Sequence, residues 1–278
     1  MNQLKNTIVF SFPKKEIFLN QNILEGVVSK LQNFGFTVLR VESLGFNYES
    51  VGIGNWITFH KKNLVAVYPL MDEAYRDCRN NLLFSELESK GIVFSEVIDY
   101  TEAETEGYFL EGNKSFVLDN VNNVAYASES KFTDEDLFIE FCEDFEYTPI
   151  VFSAINRDGC SISFTSSILM VGEEFAIVAS SLIKDKKERK LVMSHLKQSG
   201  KDLVYVTEQQ CEQHICSVVQ LTRINAKNIL VMAKKIHQLF TCEQLEVLQK
   251  HNELLVVDFD SCVGDVDSVF SEWIVQVN

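Results

Sequence analysis

Spacings that hold metals or form disulfide frameworks are missing from this sequence. Its seven cysteines include no C-x-x-C pair, and its five histidines show neither H-x-x-H nor H-E-x-x-H. An odd number of cysteines without paired spacing is typical of reduced, buried thiols in an intracellular protein. We therefore expect no metal, no cofactor and a cytoplasmic location.

Positive charge and long apolar runs are also scarce. The 278 residues carry 25 Lys and Arg against 40 Asp and Glu, which gives a formal net charge of -15. Nucleic acid and anionic membrane both bind basic surfaces, so we expect neither as a partner. The longest apolar runs are a few residues, and residues 1–12 lack a signal-peptide pattern, so no membrane segment is predicted.

Proline and glycine are too sparse to mark a linker. The chain has 3 Pro and 12 Gly, and no stretch is rich in both. Hydrophobic residues make up 46% of the chain, enough for a large core. We therefore predict a single domain over residues 1–278.

A strand, strand, helix, strand pattern repeats about every 50 to 55 residues. Four complete copies begin with the strands predicted at Trp56–His60, Ser115–Asp119, Ser167–Val171 and Ser217–Leu221. Apolar residues at helical spacing predict helices over Asn20–Asn33, Asp72–Lys90, Thr133–Phe145, Asp185–Gln198 and within Thr241–Lys250. The Thr133 helix opens with a capping-box-like Thr133 and Asp136.

The two chain ends supply a fifth copy of the pattern. A strand at Thr7–Phe12, the helix and strand that follow it, and a last strand at Glu272–Val277 together make the same unit. Pairing those two strands would close a ring and leave no module edge unpaired. We therefore predict an α/β propeller of five blades; the alternative is an ordinary α/β sandwich.

One carboxylate stands directly before the strand of the second copy. Phe109-Leu110-Glu111-Gly112 reads as a loop, and Phe116 and Leu118 then alternate with Val117 and Asp119. A Glu in this place is either a solvated loop charge or an acid of a site. The local sequence favours the solvated charge, whereas the recurrence of the same strand pair along the chain favours the acid of a site.

Three short motifs follow one another along the chain: Gly54-Asn55-Trp56-Ile57-Thr58-Phe59-His60, Ala66-Val67-Tyr68-Pro69-Leu70, and Phe109-Leu110-Glu111-Gly112 with Ser115. In this order they resemble motifs of the pentein superfamily of arginine deiminases and amidinotransferases, in particular of its citrulline-utilisation hydrolase-like branch. The first resembles that branch's Asn-Asn-Trp-x-Ser-x-His, the second its Leu-Tyr-Pro-Met strand, and the third its Phe-Leu-Glu-Gly-Thr-Gly-Ser motif. The resemblance implies a Cys nucleophile attacking a guanidinium carbon, a His that moves protons, and carboxylates that hold the cation.

The resemblance also shows which catalytic positions differ. The stretch that carries the family's His falls on Ser163–Ser167, which puts Phe164 at the His position. The stretch that carries the family's Cys falls near the C-terminus, with Ser268 or Phe270 at the Cys position. Phenylalanine cannot transfer a proton, and serine without a base is a poor nucleophile. The nearest thiol, Cys262, is interpreted as a buried loop cysteine.

A relocated catalytic pair remains an alternative. The family's Phe-Ala-Gly-Asn stretch falls on His214-Ile215-Cys216-Ser217, so His214 with Cys216 or Cys211 has the required chemistry. Packing in the core is the competing interpretation of these residues.

Together these observations predict an amidinotransferase-like protein that has lost the standard Cys-His chemistry. It would bind a small guanidino or amino-acid-like ligand, or a partner. A hydrolase of guanidino or ureido compounds with relocated residues is the first alternative, and a structural partner of an active paralogue is the second. The sequence is compatible with a homo-oligomer and does not decide the oligomeric state. The predicted pocket comprises Glu49, a candidate replacement for a family Asp, with Asn55, Glu111, Phe164, Thr165, Ser217 and Ser268.

Overall fold

Five sheets of three strands make up the structure, a computed structural model that describes residues 6–13, 21–43, 52–79, 82–258 and 270–277. Each sheet has a middle strand with one antiparallel and one parallel neighbour. The strands are β1 (Thr7–Pro13), β2 (Thr37–Ser43), β3 (Ile57–His60), β4 (Leu64–Val67), β5 (Glu96–Asp99), β6 (Phe116–Asp119), β7 (Val124–Ser128), β8 (Thr148–Phe152), β9 (Leu169–Val171), β10 (Phe175–Val178), β11 (Asp202–Tyr205), β12 (Val218–Leu221), β13 (Asn228–Ala233), β14 (Asn252–Val257) and β15 (Ile274–Gln276). We call the antiparallel neighbour of each middle strand the first strand of its sheet; the first strands are β3, β6, β9, β12 and, in the sheet that joins the chain ends, β15. The repeated pattern in the sequence therefore corresponds to one sheet per copy.

The fifth sheet joins the two ends of the chain. Its strand order is β15-β1-β2, with Val9 opposite Val275. The Val277 amide donates to the Thr7 carbonyl at 2.8 Å. The predicted pairing of the first and last strands is thus present, because a lone β15 would leave its apolar side chains and backbone groups without partners.

Most of the described helices connect the second and third strands of a sheet. They are α1 (Gln21–Asn33), α2 (Leu82–Ser89), α3 (Gly112–Ser115), α4 (Glu135–Asp144), α5 (Lys186–Gln198), α6 (Glu208–Cys211), α7 (Lys234–Leu239) and α8 (Cys242–His251). Of these, α3 and α6 are single turns that precede first strands, and α7 was not predicted. None of the helices in the described ranges is both long and apolar enough to cross a membrane.

Two predicted helices need correction. The single helix expected over Asp72–Lys90 is a 3-10 turn, Glu73–Cys78, followed by the separate helix α2. The helix expected from Thr133 starts later, because Asp134 is its N-cap and accepts a hydrogen bond from the Leu137 amide at 3.0 Å. Carboxylate caps of this kind satisfy amides that the first helical turn leaves free.

Helix α4 holds the second sheet in place through an apolar face. Leu137, Phe138, Phe141 and Cys142 are all buried, and they recur at the spacing of one helix side. The Phe141 ring stacks on Phe116 of β6 with centroids 4.7 Å apart. Burying a Phe side chain is worth about 2 kcal/mol. This packing fixes β6, the strand that follows Glu111.

Candidate functional site

Four segments that lead into first strands contact one another. These segments are Ile53–Asn55 before β3, the turn α3 before β6, Thr165–Ser167 before β9 and Phe270–Glu272 before β15. Hydrogen bonds join them: Thr165 Oγ1 donates to the Ser115 carbonyl at 2.5 Å, and Asn113 Nδ2 donates to the Ser271 carbonyl at 3.2 Å. Residues from four sheets thereby meet in one place.

Gly112 allows the closest approach between two of these segments. Its φ is +34°, and a Cβ added there would lie 2.1 Å from the Gly54 carbonyl oxygen. No side chain fits at that distance, and a positive φ is unfavourable for other residues. The glycine after Glu111 is therefore required for the contact between α3 and Ile53–Asn55.

Glu111 is buried and fully engaged at this meeting point. It is 3% exposed. Its Oε1 accepts a hydrogen bond from the Met71 amide at 2.9 Å, and its Oε2 accepts one from Lys114 Nζ at 2.8 Å. Of the two interpretations that the sequence left open, the solvated loop charge is therefore wrong.

The cation on Glu111 comes from the same chain. The Lys114 side chain is 18% exposed, and its Nζ lies 5.3 Å from the Phe132 ring centroid and 5.6 Å from that of Phe164. Ammonium groups are attracted to aromatic faces at such distances. By the resemblance to the Phe-Leu-Glu-Gly-Thr-Gly-Ser motif, Lys114 stands where the second Gly of that motif would be. A carboxylate and two aromatic rings thus surround the Lys114 ammonium group.

A second buried carboxylate, Glu272, is held by Asn55. Asn55 Nδ2 donates to Glu272 Oε2 at 2.7 Å, and Glu272 is 7% exposed. Burial raises the pKa of Glu272, while Lys114 and the Asn55 hydrogen bond oppose that rise and the nearby Glu111 adds to it. Asn55 Oδ1 is buried without a partner among the described residues.

Two hydroxyls fix the backbone around Glu111. Thr165 Oγ1, besides its bond to Ser115, accepts from the Ser128 amide at 2.8 Å. Ser115 Oγ accepts from the Glu111 amide at 2.8 Å and donates to the Phe132 carbonyl. Both residues are fully buried. We call Asn55, Glu111, Lys114, Ser115, Thr165 and Glu272, with Phe132 and Phe164, the Glu111 cluster.

The structure places the predicted pocket residues as follows. Asn55, Glu111, Phe164 and Thr165 lie in the Glu111 cluster. Ser217 is buried before β12, where its amide donates to the His214 carbonyl at 2.8 Å. Glu49, Ser268 and Cys262 lie outside the described residues.

The sequence reasoning missed Lys114, Phe132 and Glu272 as members of the cluster. Lys114 had a signal, because a long basic side chain replaces a glycine of the motif. Glu272 had one too, because it precedes the last strand as Asn55 precedes β3. Phe132 had none, because only the fold brings it to the lysine.

The alternative Cys-His pair is not assembled as a nucleophile and base. Cys211 and Cys216 are both buried. A hydrogen bond with Cys211, together with burial, raises the pKa of the Cys216 thiol. A raised pKa keeps the sulfur protonated and therefore unreactive. His214 has a φ of +60°, and its Nδ1 has no partner in the described part of the chain.

A cavity of about 880 Å³ lies between the first strands of all five sheets. One end of the cavity is lined by Asn113, Ser166, Cys216 and Ser271, which precede first strands and lie next to the Glu111 cluster in sequence or in space; we call this end the floor. The lining continues along the strands to the hairpin turns at Lys61–Asn63, Asn120 and Glu173. We call it the five-sheet cavity. Within the described ranges, no three His, Cys, Asp or Glu residues are grouped to hold a metal ion.

Known proteins share this architecture. The N-terminal domain of ArgZ bound to product, an arginine dihydrolase from the ornithine-ammonia cycle in cyanobacteria, matches with a TM-score of 0.69 and 10% identity over 98% of this chain and 97% of that domain. A dimethylarginine dimethylaminohydrolase adduct with 4-chloro-2-hydroxymethylpyridine matches with a TM-score of 0.67 and 10% identity over 98% of this chain and 99% of that one. AgrE in complex with ornithine and NAD+ matches with a TM-score of 0.69 and 11% identity over 98% of this chain. At such identities the likeness concerns the fold.

The lengths of these proteins differ. The chain spans 39% of the full ArgZ and AgrE chains. None of the curated protein sequences matches it. A family model does: residues 14–264 match N,N dimethylarginine dimethylhydrolase, eukaryotic. This match and the shared fold confirm the pentein superfamily, while the citrulline-utilisation branch stays a prediction. The chain therefore belongs to the family of N,N dimethylarginine dimethylhydrolase, eukaryotic.

Proposed function

We propose that this protein is a non-catalytic member of its family of amidino hydrolases and acts by binding. One observation carries the proposal: the Lys114 ammonium lies 2.8 Å from Glu111 and beside the Phe132 and Phe164 rings. By the resemblance, Glu111 is the carboxylate that would hold a substrate cation, and Phe164 stands where the catalytic His would be. The chain itself fills this place with a cation.

Cleavage of a guanidinium needs a nucleophile, a proton shuttle and an acidic clamp together. Such groups act as a unit, and loss of one member commonly lowers the rate by several orders of magnitude. Phe164 cannot shuttle a proton, and Lys114 neutralises the clamp. Ser268 or Phe270 at the Cys position, as the resemblance implies, would remove the nucleophile as well.

A guanidino or amino-acid-like ligand remains the ligand class that Glu111 favours, and L-arginine is the ligand in a binary complex of a mutant of the related AgrE. In this chain such a cation would have to displace Lys114 from a buried ion pair. We therefore expect weak binding without chemistry. The structural-partner alternative predicts the same absence of turnover, but it requires a mixed oligomer with an active paralogue.

We also infer that the five sheets surround one axis as the blades of a closed propeller. Two observations support this arrangement. The first and last strands share a sheet, and the first strands of all five sheets line one cavity.

The first experiment measures turnover. Purified protein is incubated with arginine, agmatine, citrulline or dimethylarginine, and the release of ammonia, urea, ornithine and dimethylamine is followed. We expect no product above background. The replacements Cys211→Ser, Cys216→Ser and Cys262→Ser are assayed in parallel. Turnover that one of them abolishes would overturn the proposal and establish a relocated nucleophile.

The second experiment tests the occupied clamp. Lys114→Gly restores the family's residue and leaves the Glu111 carboxylate without its cation. Arginine and methylammonium should then raise the melting temperature of the variant but not that of the wild type, measured by calorimetry. Lys131→Gly is the matched control, because Lys131 also lies on the Phe132 ring, at 4.8 Å, without pairing with Glu111. Equal ligand effects on both variants would show that Lys114 does not occupy a cation site.

A further inference from the structure

The floor of the five-sheet cavity carries hydroxyls without partners. Ser166 is 9% exposed, and its Oγ has no hydrogen-bond partner among the described residues. The same holds for Oγ of Ser271, on the segment before β15. Both residues line the cavity. A buried hydroxyl without a partner loses the hydrogen bonds it made to water, so such groups usually face a ligand or ordered solvent.

The walls above this floor are mainly apolar. The second residue of each first strand lines the cavity, so the five sheets contribute Thr58, Val117, Met170, Val219 and Val275. Four of these five side chains are hydrocarbon or thioether. A concave, largely apolar space with a few polar groups at one end is the usual form of a small-molecule site, and its volume of about 880 Å³ is in the usual range.

Among the described residues that line the cavity, the ionised groups lie at its mouth, and they are already engaged. Lys61 donates to the Asn120 carbonyl at 2.5 Å, and Lys62 pairs with Glu146 at 2.8 Å. Glu173 accepts from Asn228 at 2.6 Å. The described floor residues offer hydroxyls, the Asn113 amide and the Cys216 thiol. A charged group bound at the floor would be buried without a counter-ion, which is unfavourable.

We propose that the five-sheet cavity is a binding site for an uncharged, elongated and mainly apolar small molecule that has one hydroxyl or amide group. The apolar body lies along the first strands, and the polar group bonds to Ser166 and Ser271 at the floor. The site opens at the hairpin turns, on the other side of the floor from the Glu111 cluster. It is therefore separate from the place where the family's substrate cation would bind, and it does not depend on the function proposed above.

The test uses linear alcohols from butan-1-ol to decan-1-ol as probes, with binding to the purified wild-type chain measured by titration calorimetry. Affinity should rise with chain length and stop rising once the chain spans the cavity. Octanoate and octylammonium should bind more weakly than octan-1-ol. No detectable binding of any alcohol would overturn the proposal and leave a solvent-filled space. Tighter binding of either ion would overturn the proposed class of ligand.

Two kinds of variant locate the site. Val117→Trp, which fills the cavity, should weaken octan-1-ol binding by at least about tenfold, whereas Val93→Trp, at a position 65% exposed on the surface, should change it by less than about twofold. Met170→Trp fills the cavity from another sheet and replaces the first variant if that one does not melt cooperatively. Equal binding to the filled and control variants would assign the probe to the outer surface and contradict the proposal.

The floor hydroxyl is tested separately. Ser166→Ala should weaken octan-1-ol binding by about threefold to tenfold, the effect of one hydrogen bond, and should leave 1-chlorooctane binding within about twofold. Ser181→Ala, an exposed serine, is the matched control. An unchanged alcohol affinity in Ser166→Ala would contradict the proposed orientation of the polar group.

Discussion

The Glu111 cluster and the floor of the five-sheet cavity both lie at the starts of the first strands, but they differ in how completely their polar groups are paired. At the start of the strands, Glu111 accepts two hydrogen bonds and Thr165 makes two more, all within 3 Å. One residue further along the chain, Ser166 faces the five-sheet cavity with a hydroxyl that no described residue bonds. Neighbouring residues of one 3-10 turn thus have opposite environments.

This difference separates a region whose polar groups pair with one another from a region with space for a bound molecule. In the Glu111 cluster, Lys114 takes the place of an external cation, so the segments that meet there hold each other. In the cavity, apolar walls and hydroxyls without a described partner border a space that the described residues do not fill. Buried polar groups without partners are uncommon in native proteins and call for an explanation, which a bound ligand or ordered water provides. We therefore expect substitutions in the Glu111 cluster to change stability, and substitutions at the floor of the five-sheet cavity to change binding.

The largest effect should come from one deletion that removes parts of both the Glu111 cluster and the five-sheet cavity. Deletion of residues 271–278 removes β15, a wall of the cavity, and Glu272 of the cluster. Trp273, Ile274 and Val277 are almost fully buried, so the truncation exposes their partners and the edge of β1. Total stabilities are only about 5 to 15 kcal/mol, and the lost burial is a large part of this. We expect no cooperative thermal transition by circular dichroism; an unchanged melt would refute the closure of the chain ends.

The ion pair of the cluster should give the next largest effect. Glu111→Gln keeps an acceptor for the Met71 amide but leaves the Lys114 ammonium, only 18% exposed, without its counter-charge. Breaking such a pair should lower the free energy of unfolding by about 3 kcal/mol, measured by urea titration.

The control for this change is the double variant Glu111→Gln with Lys114→Met. Methionine keeps the apolar contact with the Phe132 and Phe164 rings and removes the charge. It should recover at least half of the lost stability. A double variant as unstable as the single one would mean that shape, rather than charge, is what Glu111 contributes.

The adjacent hydroxyls test the comparison most directly. Thr165→Val keeps the shape of the side chain and leaves the Ser115 carbonyl and the Ser128 amide without their partner, so we expect a loss of about 2 kcal/mol in urea unfolding. Ser166→Ala removes a hydroxyl without a described partner and should change stability by less than about 0.5 kcal/mol. Similar losses of stability for the two variants would contradict the difference between the Glu111 cluster and the cavity floor.

The smallest effect concerns pH. Burial raises the pKa of Glu272, so its folded form favours the proton and the stability it provides at low pH decreases as pH rises from the ordinary carboxyl range to the raised pKa. Glu272→Gln cannot lose a proton, and its side-chain oxygen can still accept the hydrogen bond from Asn55 Nδ2. The variant should melt roughly 2 °C higher than the wild type at pH 7 and at the same temperature at pH 4. A wild-type advantage at pH 7 would show that the ionised carboxylate is needed.

The sequence by itself determined the repeating unit of this protein and the position of its strands. Alternation of apolar residues and turn residues such as Asn120 and Asn123 act locally, so the first strands of the four complete copies start within two residues of their predicted starts. The repeat also required the pairing of β1 with β15, because a fifth copy exists only if the two ends join. The family motif pointed to Glu111 and its glycine through residue type alone.

Only the tertiary structure decided what Glu111 contacts and where space is left. Lys114 reaches Glu111 by local geometry, but the rings that hold it come from Phe132 and Phe164, which lie in other segments. The start of α4 at Asp134 instead of Thr133, and the break between Glu73–Cys78 and α2, also depend on which backbone groups the fold leaves unpaired. The cavity arises from five strands far apart in sequence. Packing between segments that are distant in sequence determines such features, and local sequence patterns do not predict that packing.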